Sequence, residues 1–155
     1  MTDDLAPATE SELASCEVMI ESWLANVSAE NPVVTAVHRE GTDRRWLVRM
    51  RGDDKDNIAV WFALGQRTLH YECQLMPAPE EHHLEVYELL LRRNAHLYGL
   101  AFCIGAEDAI YARGQCGVHG LDRSELDRLL GTIFVTVERF FRPAMRLGYA
   151  SRFRS

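Results

Sequence analysis

The residues of this 155-residue chain best suited to metal or nucleophile chemistry are its six histidines and four cysteines. A zinc site would need three or four ligands converging at about 2.0–2.3 Å. His70 and Cys73 lie three apart in a strand pattern, so they point to opposite faces of a sheet. His82 and His83 are neighbours, separated by about a hundred degrees around a helix. They read as solvated first-turn residues, and neither a metal nor another cofactor is expected. Cys116 ends an apolar strand pattern and His119 lies in the turn after it, near enough for a thiol–imidazole pair. A working dyad also needs an orienting group and a cleft, so a core thiol beside a loop histidine is the simpler account. None of Ser11, Ser15, Ser22, Ser28 or Ser124 sits in a Gly-x-Ser-x-Gly elbow. Gly114, Gly117 and Gly120 lack the lysine and the strand–loop–helix setting of a phosphate loop. Asp53 and Asp54 fall in a solvated turn. No enzyme is expected.

The elements that position these residues follow from periodicity. Leu13, Cys16, Ile20, Trp23, Leu24 and Val27 recur at helical spacing from Glu10 onward, with Thr9 or Ser11 as the cap. Asn31-Pro32 ends that helix, because the residue before proline is pushed out of helical geometry. Val33 to His38 is a short strand candidate that leaves the edge of the sheet open. Arg44 to Arg51 alternates, with Trp46, Val48 and Met50 on one face and Arg45, Leu47, Arg49 and Arg51 on the other. Ile58 to Leu64 and Thr68 to Met76 alternate in the same way around the turn at Gly65-Gln66. This gives an antiparallel meander of three or four strands with one apolar face for helices to cover.

A second helix is expected from Pro79 to Gly99 with Leu84, Tyr87, Leu91, Ala95 and Tyr98 as its stripe. A hairpin follows, Leu100 to Ile104 and Ala109 to Cys116. The last helix starts at an Asp122–Glu125 capping box with a Leu121–Leu126 staple, and Pro143 is expected to break or kink it. Phe134, Phe141 and Met145 lie off its main stripe. With the wide apolar surface of the second helix, they suggest a homodimer. The fold class is α+β, an antiparallel sheet covered by helices in the order α-β-β-β-α-β-β-α.

Composition narrows the class. A hydrophobic share of 47% and a charged share of 26% suit one globular domain over residues 1–155, with flexible ends at 1–8 and 151–155. The net charge of -6 argues against a nucleic-acid partner. No apolar run approaches the ~20 residues of a membrane helix, and the acidic Met1 to Glu12 segment is not a secretory signal. The four cysteines, Cys16, Cys73, Cys103 and Cys116, form no C-x-x-C pair and read as reduced core thiols. A cytoplasmic protein is expected. The acidic first thirty residues and the basic last eighteen would attract each other or solvate separate faces.

The element order resembles the type III secretion chaperone-like fold. Within it, Tyr87-Glu-Leu-Leu-Leu-Arg-Arg-Asn94, Gly99-Leu-Ala-Phe102, Asp108-Ala-Ile-Tyr111, Leu126-Asp-Arg-Leu-Leu-Gly131 and Leu147-Gly148-Tyr149 resemble the YbjN domain family of bacterial sensory transduction regulators. The resemblance runs from about Arg44 to Ala150. None of these motifs is catalytic. It implies a helix-covered antiparallel sheet used for protein contact, often as a dimer.

The outer face of the sheet is the candidate partner site, shared by Leu47, Arg49, Arg51, Trp61, Ala63, His70, Glu72 and Gln74. An aromatic flanked by arginines is the composition favoured at interface centres. Cross-strand Arg–Glu pairing on a solvated face is the plainer account. Asn94, in an apolar helix stripe, must find partners if buried. It serves either as a structural tie or, with Tyr111, as part of a small-ligand pocket between sheet and last helix. The expected function is a non-enzymatic protein-interaction module, chaperone-like or regulatory, with a small-ligand sensor as the alternative.

Overall fold

The structure is a computed structural model that describes residues 6–153. Its first helix, α1 (Glu10–Glu30), starts where Thr9 and Glu12 exchange side-chain-to-backbone hydrogen bonds at 3.1 and 3.0 Å. Those bonds satisfy two of the amide donors that a helix start leaves open. The whole expected stripe, Leu13 to Val27, is buried. Asn31 turns the chain to extended geometry ahead of Pro32.

Four strands follow as a meander: β1 (Val34–Arg39), β2 (Arg45–Met50), β3 (Ile58–Leu64) and β4 (Thr68–Met76). After α2 (His83–Asn94) come β5 (Ala101–Ile104) and β6 (Ile110–Gly117), and α3 (Arg123–Gly148) closes the domain. The sheet order is β1-β2-β3-β4-β6-β5, antiparallel throughout. Residues 33–38 therefore do add a strand, at the edge opposite β5. Trp46, Val48, Met50, Ile58, Val60, Phe62, Leu69, Tyr71, Cys73 and Leu75 are buried on the helix-covered face, as the alternation requires.

Four expectations change. The second helix begins at His83 rather than near Pro79. The amides of Glu80 and Glu81 both bond the Gly148 carbonyl at 2.9 Å, and His82 takes a left-handed conformation (φ 50°). Its buried stripe is Val86 and Leu90, while Leu84 (81%), Leu91 (66%) and Tyr98 (79%) are exposed. The helix carries two adjacent apolar stripes, and α3 and β5 take the one that periodicity did not single out. Pro143 does not break α3, which runs on to Gly148 because Phe140, Ala144 and Gly148 continue its buried stripe across the proline. At the other end Asp122 accepts from the Glu125 amide at 2.8 Å. The Glu125 carboxylate, however, turns to Arg128 at 2.7 Å instead of completing the box.

The charged ends find separate partners. Glu10, Glu17 and Glu21 of α1 pair with Arg39 and Arg44 of the β1–β2 hairpin. Arg142 pairs with Asp54 and Arg152 with Glu80, each at 2.8 Å. Within the terminal segments, Ala8 is buried and its amide bonds the Gln66 carbonyl at 2.7 Å. Ser151 bonds Glu81. Residues 1–5 and 154–155 lie outside the described residues.

Candidate functional site

The outer sheet face is laid out by strand register. One cross-strand row runs His38, Leu47, Trp61, Glu72, Arg113 and Ala101, from β1 to β5. The next row holds Arg45, Ala63, His70 and Gln115. Directly opposed side chains lie about 4.5–5.5 Å apart at Cβ, so each row is a contact line. Leu47 is an exception to the expected exposure: it is only 6% exposed although it points away from the helices. His38 and Trp61 flank it in register.

Trp61 is half-buried, with the Arg45 guanidinium 4.6 Å from the centre of its ring. Such a cation–aromatic contact contributes about 0.5–1 kcal/mol at an exposed site. Arg45 also reaches Glu40 at 3.3 Å, and Arg113 holds Glu72 at 2.8 Å. The expected Arg–Glu pairing is therefore present, through Arg113 and not through Arg49 or Arg51. Arg49 reaches only the Asn57 side chain, at 3.4 Å. Arg51, just past the end of β2, is exposed, and among the described residues neither Arg49 nor Arg51 makes an ion pair. His70 bonds Thr68 Oγ1 at 3.0 Å, and Gln74 is exposed. Arg45, Trp61, Ala63, His70, Glu72 and Arg113 line a shallow hollow of about 240 Å³.

Arg113 and Tyr111 complete this face, and the strand-by-strand reading left Arg113 out of it. The alternation Tyr111, Arg113, Gln115 was legible. That β6 inserts beside β4 was not, because that depends on where the chain goes after α2. Tyr111 lies under the Arg113 guanidinium at 5.4 Å, on the outer face. Asn94 sits on the helix side, where its amide nitrogen donates to the Phe102 carbonyl at 3.1 Å and its oxygen accepts from the Phe102 amide at 2.7 Å. Asn94 and Tyr111 thus do not share a pocket. Asn94 is a structural tie that occupies the backbone groups of edge strand β5.

The candidates for chemistry do not assemble. Among the described residues no cluster of three metal-ligating side chains occurs. Both ring nitrogens of His119 are engaged, with the Ala6 carbonyl at 3.0 Å and Glu12 at 3.4 Å. Burial pushes the Cys116 thiol up to about 11 and the Cys73 thiol up to about 12. At pH 7 the Cys116 thiolate fraction is then on the order of one in 10⁴. Cys116 is expected to react far more slowly with iodoacetamide than a free cysteine and to gain rate only as pH rises toward 11. A mass-spectrometric labelling time course checks this, and fast modification at pH 7 would restore the dyad as a candidate.

A second surface lies on the wide apolar side of α2 from which a homodimer is expected. Tyr87, Leu90, Leu91, Phe102, Ile104 and Ile110 line an apolar groove of about 380 Å³ between α2 and β5. The exposed Leu84 and Leu91 of α2, and Ile104 at 53%, extend it.

Residues 18–144 match the model of YbjN, a family described as "Putative bacterial sensory transduction regulator". The chain belongs to the YbjN family. An uncharacterised protein of Mycobacterium tuberculosis is 32% identical over 105 residues, which cover 68% of this chain and 57% of that protein. An uncharacterised protein of Mycobacterium leprae is 29% identical over 107 residues, covering 69% of this chain and 58% of that one. The matched part is thus little more than half the length of these curated relatives. In three dimensions this YbjN chain is similar to a chain of the heterodimeric ExoU–SpcU complex from the type III secretion system of Pseudomonas aeruginosa. The TM-score is 0.57 at 15% identity, covering 81% of this chain and 97% of that one. At that identity the likeness shows the fold alone, and it is the fold that the element order implied. The model of the family begins within α1, earlier than the motifs quoted from Arg44 onward.

Proposed function

We propose that this YbjN chain is a non-catalytic protein-interaction module, regulatory or chaperone-like, whose contact surface is the outer sheet face. The observation that carries the reading is Trp61: a large aromatic held half-exposed at mid-sheet, paired in register with buried Leu47, stacked by Arg45 and lining one hollow with Arg45 and Arg113. Aromatic and arginine side chains around a preorganised apolar centre are what interface hot spots are made of. The fold neighbour comes from a heterodimeric complex, which supports a protein partner for the same fold here. A cytoplasmic setting fits the four free thiols.

The test is affinity capture from the producing organism with wild type and Trp61→Ala. The variant is expected to keep the wild-type circular dichroism spectrum and lose at least tenfold of a captured polypeptide, about 1.4 kcal/mol or more of contact. Equal capture by the two proteins would remove the outer face from the account.

The α2–β5 groove favours a second copy of this chain as its occupant. Helix α2 is acidic in its first half (Glu85, Glu88) and basic at its end (Arg92). Twofold antiparallel packing of α2 on α2 would bury Leu84 and Leu91 and set each acidic half against the other copy's basic end. Sedimentation velocity at tens of micromolar is expected to show a dimer for wild type and a monomer for Leu91→Glu. A wild-type monomer would contradict the pairing.

A further inference from the structure

At the junction of α2 and α3, two arginine guanidiniums lie against one aromatic ring. The guanidinium carbon of Arg93 stands 5.2 Å from the centre of the Phe140 ring, and that of Arg139 stands 5.7 Å from the same point. Phe140 is itself buried, edge-on to Phe102. Arg39, Arg44, Arg113, Arg128, Arg142 and Arg152 each face a carboxylate. Among the described residues, the side chains of Arg93 and Arg139 have neither a hydrogen bond nor an ion pair. The Nε of Arg93 is buried without a partner, the one such side-chain nitrogen or oxygen among the described residues.

A buried donor with no acceptor is costly, and native structures leave few of them. The ring quadrupole offsets part of that cost for a cation, but it does not accept the Nε hydrogen. An oxyanion does. There is room for one: Arg93, His96, Thr132 and Thr136 line a hollow of about 530 Å³ between the end of α2 and the flank of α3. Arg139 stands one turn beyond Thr136. The carboxylate at its rim, Asp127, is taken by the Trp23 indole at 2.8 Å.

We propose that this junction binds an oxyanion, the phosphate or carboxylate of a small molecule, with Arg93 and Arg139 as its paired ligands. Arginine's planar fork suits either group. The negative end of α2 opposes an anion there, so affinity in the millimolar range is expected. The site lies on the helix side of the sheet and does not depend on the outer-face contact.

The experiment is a titration with inorganic phosphate and, separately, citrate at pH 7, with ionic strength held constant by chloride. It is followed through the arginine Nε–Hε NMR signals. The signals of Arg93 and Arg139 are expected to move saturably with a Kd below about 20 mM for at least one probe, and the tighter probe names the class. Arg139→Gln, at an exposed position, should weaken binding at least tenfold. Arg146→Gln removes the same charge from an exposed position that makes no ion pair among the described residues, and should change it less than twofold. A response that never saturates, or an equal loss in both variants, would overturn the site and leave only general charge screening.

Discussion

Asn94→Ala is expected to lower the stability of the protein by about 2–3 kcal/mol, far more than an ordinary helix-end substitution. The side chain exchanges two hydrogen bonds with the backbone of Phe102, at 3.1 and 2.7 Å. Those are the groups a further strand would otherwise use at this edge of the sheet. Without the amide, a donor and an acceptor beside a buried Phe102 lose their partners, and each such loss costs about 1–3 kcal/mol when water reaches it poorly. The same change opens the β5 edge, so the variant should also self-associate through strand pairing on storage. Urea unfolding measures the first effect. Asn94→Asp, which keeps the acceptor and loses the donor, should fall between wild type and alanine. A loss below about 1 kcal/mol for alanine would mean that solvent already satisfies Phe102.

Gly114→Ala is expected to be at least as damaging, at or beyond the upper end of the roughly 1–3 kcal/mol typical of overpacking. A Cβ there would lie 2.1 Å from the Gly99 carbonyl oxygen and 2.6 Å from the Tyr71 ring. Neither obstacle can step aside, because the Tyr71 hydroxyl donates to that same Gly99 carbonyl and Gly114 pairs with Tyr71 across β4 and β6. Alanine would ordinarily gain about 0.5–1 kcal/mol over glycine in a strand or helix, so the expected loss is net of that gain. Gly131→Ala is the internal control. It sits in α3 with nothing within 4 Å of a new Cβ, and it should stabilise by up to about 1 kcal/mol. Thermal unfolding of both variants separates them, and a Gly114→Ala protein as stable as wild type would show that the β6–Gly99 approach is looser than described.

These two positions also mark how far the sequence can be read. Residues under a single pressure were legible. The α1 stripe, the alternation of β3 and β4 and, Leu47 apart, of β2, and the cap at Asp122 each follow from local spacing and stand as expected. Asn94 was recognisable as a polar group in an apolar stripe, with a structural role as the leading account. Its partner was not, because Phe102 reaches it only through the turn from α2 back to the sheet. The stripe of α2 went astray for a related reason: it has more apolar surface than the core can cover. Which part is buried depends on how Glu80 and Glu81 anchor the helix start to Gly148. The proline in α3 was judged by its local cost, which continuous burial on either side offsets.

The candidate face shows the same division. Which side chains of β2, β3 and β4 share it was set by period two, and Leu47, Arg49, Trp61, His70, Glu72 and Gln74 do share it. Arg113 was hidden because it arrives on β6 after a crossover. The burial of Leu47 on an outward face was also hidden, since it comes from neighbours on two other strands.

The most direct test of the outer face as a partner surface is site-specific photo-crosslinking in the producing cells. A photoreactive residue would replace Trp61, or Gln74 on the same face, with Val18 on the exposed side of α1 as the reference position. Crosslinks from positions 61 and 74 to the same polypeptide, absent from position 18, are the predicted result. Crosslinks that appear only from position 18, or none from either face position while the protein remains folded, would contradict it.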